Sequence, residues 1–106
     1  MKRLVTTLIA AAICLSAPVL AQERRSATLE KIRSNGTIYI GHREASIPFS
    51  YMVGAEEPIG YSIDLCKAVV DRVKETLGLS ALQVVYVPVT SGSRQMMLEA
   101  GTIDLQ

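Results

Sequence analysis

The chain has 106 residues, of which 49% are hydrophobic, 20% charged and 5% aromatic, with eleven Lys and Arg against ten Asp and Glu. This composition is typical of a globular protein and excludes the disordered, collagen-like and disulfide-stapled classes. The nearly balanced charge includes no basic stripe, so neither nucleic acid nor an anionic membrane surface is expected as a partner.

The first 21 residues have the pattern of a secretory signal peptide. Two basic residues precede an uncharged apolar run at positions 4–20, and Val19 and Ala21 are compact residues of the kind found before a cleavage site. Removing this segment leaves nine basic against ten acidic side chains. The alternative is a membrane anchor, but the apolar run is only at the bottom of the length that spans a bilayer.

Cysteine and histidine usage limits the chemistry of the exported chain. Cys66 would be the only cysteine left after cleavage, so it is either a buried core residue or half of a bridge with a partner outside this chain. His42 is the only histidine, and no Cys/His spacing predicts a metal site. The common fingerprints of phosphate-binding loops, hydrolase elbows and redox pairs are absent, so no cofactor is expected.

Beyond residue 21 the pattern alternates between helix and strand. Residues 22–36 predict a polar leader followed by a short helix capped by Thr28. A β-branched and aromatic strand is predicted at 37–41. The stretch 45–58 has no helical period and predicts a loop with a short hairpin around Gly54.

The second half of the chain continues this alternation. Ser62 is predicted to cap an amphipathic helix of about four turns. Its apolar face would carry Cys66, Val69, Val70, Val73 and Leu77. A Val-rich strand at 83–89, a helix capped by Thr90 or Ser91 and a further strand at 102–105 follow. The order predicts an α/β fold, with a parallel sheet and helices on both faces.

The chain stops at Gln106 inside an apolar run, which predicts that it is truncated. Residues 37–106 would then form an incomplete domain. An α/β unit of this size buries only about 60% of its unfolded surface, which is marginal for independent folding.

Two segments follow the carboxyl ends of predicted strands, where open parallel sheets bind ligands. Arg43 follows the first strand. Residues 90–94 follow the second, with hydroxyls, free helix N–H groups and Arg94 that together suit an anion. The alternative is that Thr90 and Ser91 only cap a helix while the arginines face water.

Other side chains near these strand ends have weaker signals. Three aromatic residues in or next to the loop either wall an apolar part of a pocket or simply pack, namely Phe49, Tyr51 and Tyr61. His42 has no evident acid–base partner in a motif, so it is interpreted as a loop histidine.

These residues resemble the periplasmic amino-acid-binding proteins of ABC importers, and in particular their glutamate/aspartate-binding branch. The matching stretches are Thr28–Gly36, Ile40–Glu44, Ile47–Tyr51, Gly60–Leu65, Val87–Arg94 and Gly101–Asp104. The resemblance implies a monomeric, two-lobed periplasmic receptor that closes on glutamate or aspartate and delivers it to an inner-membrane ABC permease. Of that receptor, this chain would hold the signal peptide and, at residues 37–106, an incomplete first lobe. It implies no catalysis, no cofactor and no metal.

Carried over by position, the resemblance assigns Arg43, Ser91 and Arg94 to the side-chain carboxylate of the ligand. Two guanidiniums and a hydroxyl would favour Glu or Asp over Gln or Asn, because a neutral amide leaves buried charges uncompensated. The remaining ligand residues of the family would lie beyond Gln106. Residues 22–106 alone are therefore not expected to bind glutamate with useful affinity.

Two other functions are left open by the sequence. Some relatives on this fold are periplasmic cyclohexadienyl dehydratases, and here His42 or Glu44 would be the nearby groups for proton transfer. The third possibility is the sensor module of a receptor kinase or lytic enzyme, which a membrane span or catalytic domain downstream would identify.

Overall fold

The computed structural model describes residues 26–106, and the predicted signal peptide lies outside that part of the chain. The helices are α1 (Ala27–Asn35), α2 (Tyr61–Leu77) and α3 (Arg94–Glu99), and the strands are β1 (Thr37–His42), β2 (Ala45–Ser46), β3 (Ser50–Tyr51) and β4 (Gln83–Pro88). Their order along the chain is α1, β1, β2, β3, α2, β4, α3. Between residues 26 and 106 no helix is both long and apolar enough to cross a membrane.

β1 and β4 form the predicted parallel pair. Their register runs from Thr37 opposite Gln83 to His42 opposite Pro88. On the other edge of β1, Ile40 makes an isolated parallel bridge with Leu105. The strand predicted at 102–105 is therefore reduced to this single bridge, and β1 lies at the centre of the sheet.

One face of the sheet packs against α1 and α2. The buried side chains of this core are Ile32, Ile38, Ile40, Cys66 and Val70. Ile38 and Ile40 share the face because side chains two residues apart on a strand point the same way. Val69 was predicted on the buried face of α2 but is 43% exposed, since the buried stripe of this helix runs through Ile63, Cys66 and Val70.

The opposite face of the sheet is covered by two residues that flank α3 in the sequence, Val89 before it and Ile103 after it. A Cβ atom at Gly41 would lie 2.6 Å from Ile103 Cδ1 and 3.1 Å from Val89 Cγ1. Ile103 and Val89 are both buried. The absence of a side chain at position 41 thus lets these two residues cover the sheet directly above the strand end.

Asp104 ties this covering segment to both β1 and α1. Its Oδ2 accepts a hydrogen bond from the Tyr39 N–H at 2.9 Å, and its Oδ1 lies 2.5 Å from Lys31 Nζ in an ion pair that is not aligned as a hydrogen bond. Lys31 Nζ also donates to the Gly101 carbonyl oxygen at 2.9 Å. The Asp104 side chain is 1% exposed, so solvent screens this pair less than it would a surface pair.

The predicted side-chain caps of α1 and α2 are wrong. α1 begins at Ala27, and the residue whose side chain caps it is Ser26 rather than Thr28: Ser26 Oγ accepts the Leu29 N–H at 3.5 Å. α2 begins one residue before Ser62, with no side-chain cap. The orphan N–H groups of its first turn are bonded instead to backbone carbonyls of the preceding loop.

Those carbonyls belong to a hairpin formed by β2 and β3. It turns at Ile47–Phe49 rather than around Gly54. The Tyr61 N–H donates to the Pro48 carbonyl oxygen at 3.0 Å, and the Ser62 N–H to the Phe49 carbonyl oxygen at 2.9 Å. The Ile47–Pro48 peptide bond is cis.

Gly54 lies within a second, looser turn that is closed by an antiparallel bridge between Tyr51 and Ile59. The chain then enters α2 through Gly60, whose φ is 130°. A Cβ atom at Gly60 would overlap the Phe49 carbonyl oxygen and lie 2.8 Å from the Pro48 carbonyl oxygen. Only glycine permits the hairpin to approach the start of α2 this closely.

Candidate ligand-binding cleft

Arg43 and Ser91 meet at the carboxyl edge of the parallel pair. Arg43 directly follows β1, and Ser91 lies shortly after β4. Because His42 is opposite Pro88, the two segments leave the sheet side by side. Arg43 Nη1 donates a hydrogen bond to Ser91 Oγ at 2.5 Å. The structure thus brings two of the three predicted anion-binding residues into direct contact.

A cleft of about 300 Å³ opens at this edge. Arg43 and Arg94 line it, whereas Ser91 contacts Arg43 without lining the cleft, and the lining includes no Asp or Glu. Within residues 26–106 neither arginine takes part in a salt bridge. The cleft therefore presents two guanidiniums without a carboxylate partner, and its electrostatics favour a bound anion.

The turn before α3 contributes less to this site than its sequence predicts. Ser93 Oγ accepts the Thr90 N–H at 3.0 Å, Thr90 Oγ1 accepts the Ser93 N–H at 3.1 Å, and the Thr90 carbonyl oxygen accepts the Arg94 N–H at 3.1 Å. These N–H groups are already bonded and are not available to an anion. Thr90 thus bonds within the turn, and α3 follows Ser93 without a side-chain cap, so the predicted cap at Thr90 or Ser91 is wrong. The Ser91 hydroxyl accepts from Arg43 instead.

One of the three predicted aromatic wall residues reaches the cleft. Phe49 lines it from the tip of the hairpin, although its side chain is 54% exposed. Tyr51 lies half-buried in β3, and Tyr61 is exposed at the start of α2; neither lines the cleft. The remaining apolar lining is provided by Ile63, Cys66 and Val89.

Cys66 is a free, buried thiol at this apolar end of the cleft. Burial raises its pKa, because a thiolate would lose its hydration there. The thiol therefore stays protonated at neutral pH and is a poor nucleophile. Within residues 26–106, Cys66 packs in the core and has no disulfide partner.

His42 separates the cleft from a second hollow. Its ring is 5% exposed, with Nδ1 3.4 Å from the Arg43 carbonyl oxygen, and it lies edge-on to Tyr86 at a centroid distance of 6.2 Å. Glu44 lines the second hollow and not the cleft, together with Glu56 and Glu57. The two groups considered for proton transfer thus do not share the cleft.

Sequence reasoning missed three serines that line the cleft, Ser46, Ser50 and Ser62. Ser50 is the most constrained of them, since its Oγ accepts the Arg43 N–H at 2.9 Å and donates to the Arg43 carbonyl oxygen at 2.7 Å. No periodic pattern marks it, because it belongs to a strand of only two residues. The only sequence signal for Ser50 was its position within Ile47–Tyr51, one of the stretches that resemble the family.

Metal binding has no support in the described part of the chain. Between residues 26 and 106, no group of three or more His, Cys, Asp or Glu side chains is arranged to hold a metal ion. The polar side chains that line the cleft are instead two guanidiniums and three serine hydroxyls, together with the His42 imidazole and the Gln106 amide. This donor set suits an oxyanion such as a carboxylate.

The family model of the bacterial extracellular solute-binding proteins, family 3, matches residues 38–106. The chain belongs to this family. The chain is 51% identical over 105 residues to an L-glutamate/L-aspartate-binding protein of Pseudomonas aeruginosa, covering 97% of this chain and 34% of the relative. It is 46% identical over 79 residues to a glutamate/aspartate import solute-binding protein of Escherichia coli, covering 74% of this chain and 26% of the relative.

The chain therefore spans about a third or less of the length of these curated relatives. Their names agree with the glutamate/aspartate branch to which the sequence motifs point. Among solved structures, an ancestral amino-acid-binding protein described as a precursor of cyclohexadienyl dehydratase superposes with a TM-score of 0.60 at 28% identity. The match covers 72% of this chain and 31% of that chain, and it confirms the predicted α/β fold.

Proposed function

We propose that this chain contributes the carboxylate-binding side of a periplasmic solute-binding protein for glutamate or aspartate, which serves an ABC permease in the inner membrane. The observation that carries the proposal is the cleft lined by two unpaired arginines and no acid. The names of the relatives support the ligand class and the importer. The family's description as extracellular supports the periplasmic location, together with the signal-peptide pattern.

In this proposal Arg43, Ser91 and Arg94 hold the side-chain carboxylate of the ligand. A guanidinium has five N–H donors, so Arg43 keeps several after donating one bond to Ser91. Glutamine or asparagine has one acceptor oxygen where the carboxylate has two, so its NH2 group would face a guanidinium, and its neutral amide would leave the positive charge uncompensated. Rejection of the amides thus follows from the same groups that bind the acids.

Binding without catalysis is the function that this arrangement supports best. A dehydratase requires a proton donor or acceptor within reach of the bound substrate. His42 lines the cleft, but Glu44 faces the separate hollow behind it. The likeness to a precursor of cyclohexadienyl dehydratase makes turnover the alternative that an experiment has to exclude.

Isothermal titration calorimetry on the complete polypeptide encoded by the gene tests this proposal. We expect one-to-one binding of glutamate or aspartate, and about 10- to 100-fold weaker binding of glutamine and asparagine, as the loss of one charge-assisted bond predicts. Arg94→Gln should weaken glutamate binding by about the same factor. The matched control is Lys67→Gln, which removes a positive charge from the exposed side of α2, outside the cleft lining.

Two results would contradict the proposal. Equal affinity for glutamate and glutamine would mean that the guanidiniums do not select the ligand. Consumption of a cyclohexadienyl substrate by the purified protein would identify an enzyme on this fold instead of a receptor.

A further inference from the structure

We infer that Ser50 is a positioning residue for Arg43, which it holds by both peptide groups so that the guanidinium faces the cleft. This inference rests on the proposed role of Arg43 as a ligand of an anion. It concerns a side chain that the motif-based assignment of Arg43, Ser91 and Arg94 does not include.

Arg43 falls in a gap between two stretches of backbone pairing. The residue before it is bonded to the neighbouring strand, since the His42 carbonyl oxygen accepts the Val89 N–H at 2.9 Å. The residue after it is bonded to the hairpin, since the Glu44 carbonyl oxygen accepts the Met52 N–H at 3.0 Å. Arg43 itself bonds to the single hydroxyl of Ser50 through both its N–H and its C=O.

The two hydrogen bonds between Ser50 and the Arg43 backbone, called the Ser50 clamp, are difficult to replace with bonds to water because Ser50 is buried. Ser50 is 5% exposed and its bonds to Arg43 are partly buried, so deletion of its hydroxyl would leave the Arg43 N–H without its partner and the Arg43 carbonyl oxygen with only His42 Nδ1 at 3.4 Å. A buried backbone group that loses its partner costs more than a typical hydrogen bond contributes. The backbone at Arg43 would then shift to find other partners.

The single hydroxyl proton of Ser50 is already used within the protein, so Ser50 acts through Arg43 and not on the ligand. A serine hydroxyl has one proton to donate. Ser50 donates that proton to the Arg43 carbonyl oxygen at 2.7 Å, so none remains for a carboxylate in the cleft. Ser50 lines the cleft, but its contribution there is the direction of the arginine.

The clamp also relates Arg43 to α2. β3 carries Ser50, and the turn before it supplies the carbonyls of Pro48 and Phe49 that accept the first N–H groups of α2. On the other side, Arg43 Nη1 is fixed by Ser91 beyond β4. The guanidinium is thus held between the sheet and the hairpin, and Ser50 is the link on the hairpin side.

The test compares Ser50→Ala and Ser50→Thr with wild type in the complete polypeptide encoded by the gene. Amide hydrogen exchange, measured by NMR without ligand, should be at least about tenfold faster for the Arg43 N–H in Ser50→Ala, as the loss of a net hydrogen bond predicts. The Tyr39 N–H, which donates to Asp104, should be unaffected. Ser50→Thr keeps the hydroxyl and should restore slow exchange at Arg43.

Ligand titration provides the second measurement. Ser50→Ala should weaken glutamate binding about tenfold and reduce the preference for glutamate over glutamine, while Ser50→Thr should recover both. The control is Val70→Ala, which removes buried side-chain volume from the core and does not line the cleft. It should lower stability without changing the glutamate-to-glutamine preference. Should Ser50→Ala fail to fold, Ser50→Cys replaces it, because a thiol bonds more weakly at similar volume.

The inference would be overturned if the Arg43 N–H exchanged as slowly in Ser50→Ala as in wild type. The same result in Ser50→Cys would overturn it if that variant has to be used instead. A loss of affinity that Ser50→Thr fails to restore would also overturn it. If the wild-type protein binds neither glutamate nor aspartate, the proposed function fails, and the exchange rate of the Arg43 N–H alone decides whether Ser50 positions that residue.

Discussion

Replacing Gly60 with alanine should separate the hairpin from the start of α2. The new Cβ would overlap the Phe49 carbonyl oxygen and lie 2.8 Å from the Pro48 carbonyl oxygen. Both obstacles are backbone atoms, so no side-chain rotation can relieve the collision. The same two carbonyls accept the N–H groups of Tyr61 and Ser62, so a shift of the hairpin would break the caps of α2.

The magnitude follows from two contributions. Alanine at a φ of 130° costs about 1–3 kcal/mol of backbone strain. Forcing a methyl group against fixed atoms costs about 1–3 kcal/mol more. The total of about 2–6 kcal/mol is a large part of the 5–15 kcal/mol that stabilises a typical domain.

Urea unfolding of Gly60→Ala and Gly54→Ala measures this effect. Gly54 also has a positive φ, 73°, but a Cβ there has no atom within 4 Å, so Gly54→Ala should lose only about 1 kcal/mol. With a denaturant slope of about 2 kcal/mol/M, Gly60→Ala should unfold at least about 1 M earlier than wild type. Equal midpoints for the two variants would refute the close approach of hairpin and helix.

Two further predictions concern buried ionisable groups. Asp104→Asn keeps an acceptor for the Tyr39 N–H but removes the ion pair with Lys31, and should lower the free energy of unfolding by about 1–2 kcal/mol. Neutralising Glu75, in an exposed pair, should cost less than about 0.5 kcal/mol, and equal urea midpoints would contradict the difference. Stability should also decrease in alkali, because burial raises the pKa of Cys66, and burial and Glu57 raise that of Tyr86. The unfolded state then releases these protons first, so the stabilisation is complete below the unfolded pKa values and is lost as the pH rises through the folded ones. Urea midpoints between pH 8 and pH 10.5 should fall in wild type and fall less in a Cys66→Ala/Tyr86→Phe double variant; parallel curves would contradict this assignment.

Sequence patterns correctly predicted the parts of the fold that depend only on residues close by in the sequence. β1 was predicted from its β-branched and aromatic residues, and the end of α2 from Gly78. The start of α2 was displaced because its first N–H groups bond to the carbonyls of Pro48 and Phe49, which lie in a different element. The hairpin turn was placed at Gly54 because glycine is the stronger turn signal, whereas the two strands pair around Pro48.

The candidate site was predictable to the extent that topology determines it. Parallel strands bring their carboxyl ends to one edge, and this rule alone places Arg43 near Ser91. The N–H groups before α3 looked available from the sequence, but Thr90 and Ser93 bond to each other's N–H groups. The Ser50 clamp could not be predicted from the sequence, because it depends on hairpin pairing that no hydrophobic periodicity reveals.

The bond between Arg43 and Ser91 has a thermodynamic consequence for any anion that enters the cleft. An arginine that becomes fixed loses up to about 2 kcal/mol of rotamer entropy. Since Ser91 already restrains the guanidinium without a ligand, part of this ordering occurs when the chain folds. The cost then lowers the stability of the fold and not the affinity for the anion. A modest number of contacts can in this way yield tighter binding than the same contacts made by a freely rotating arginine.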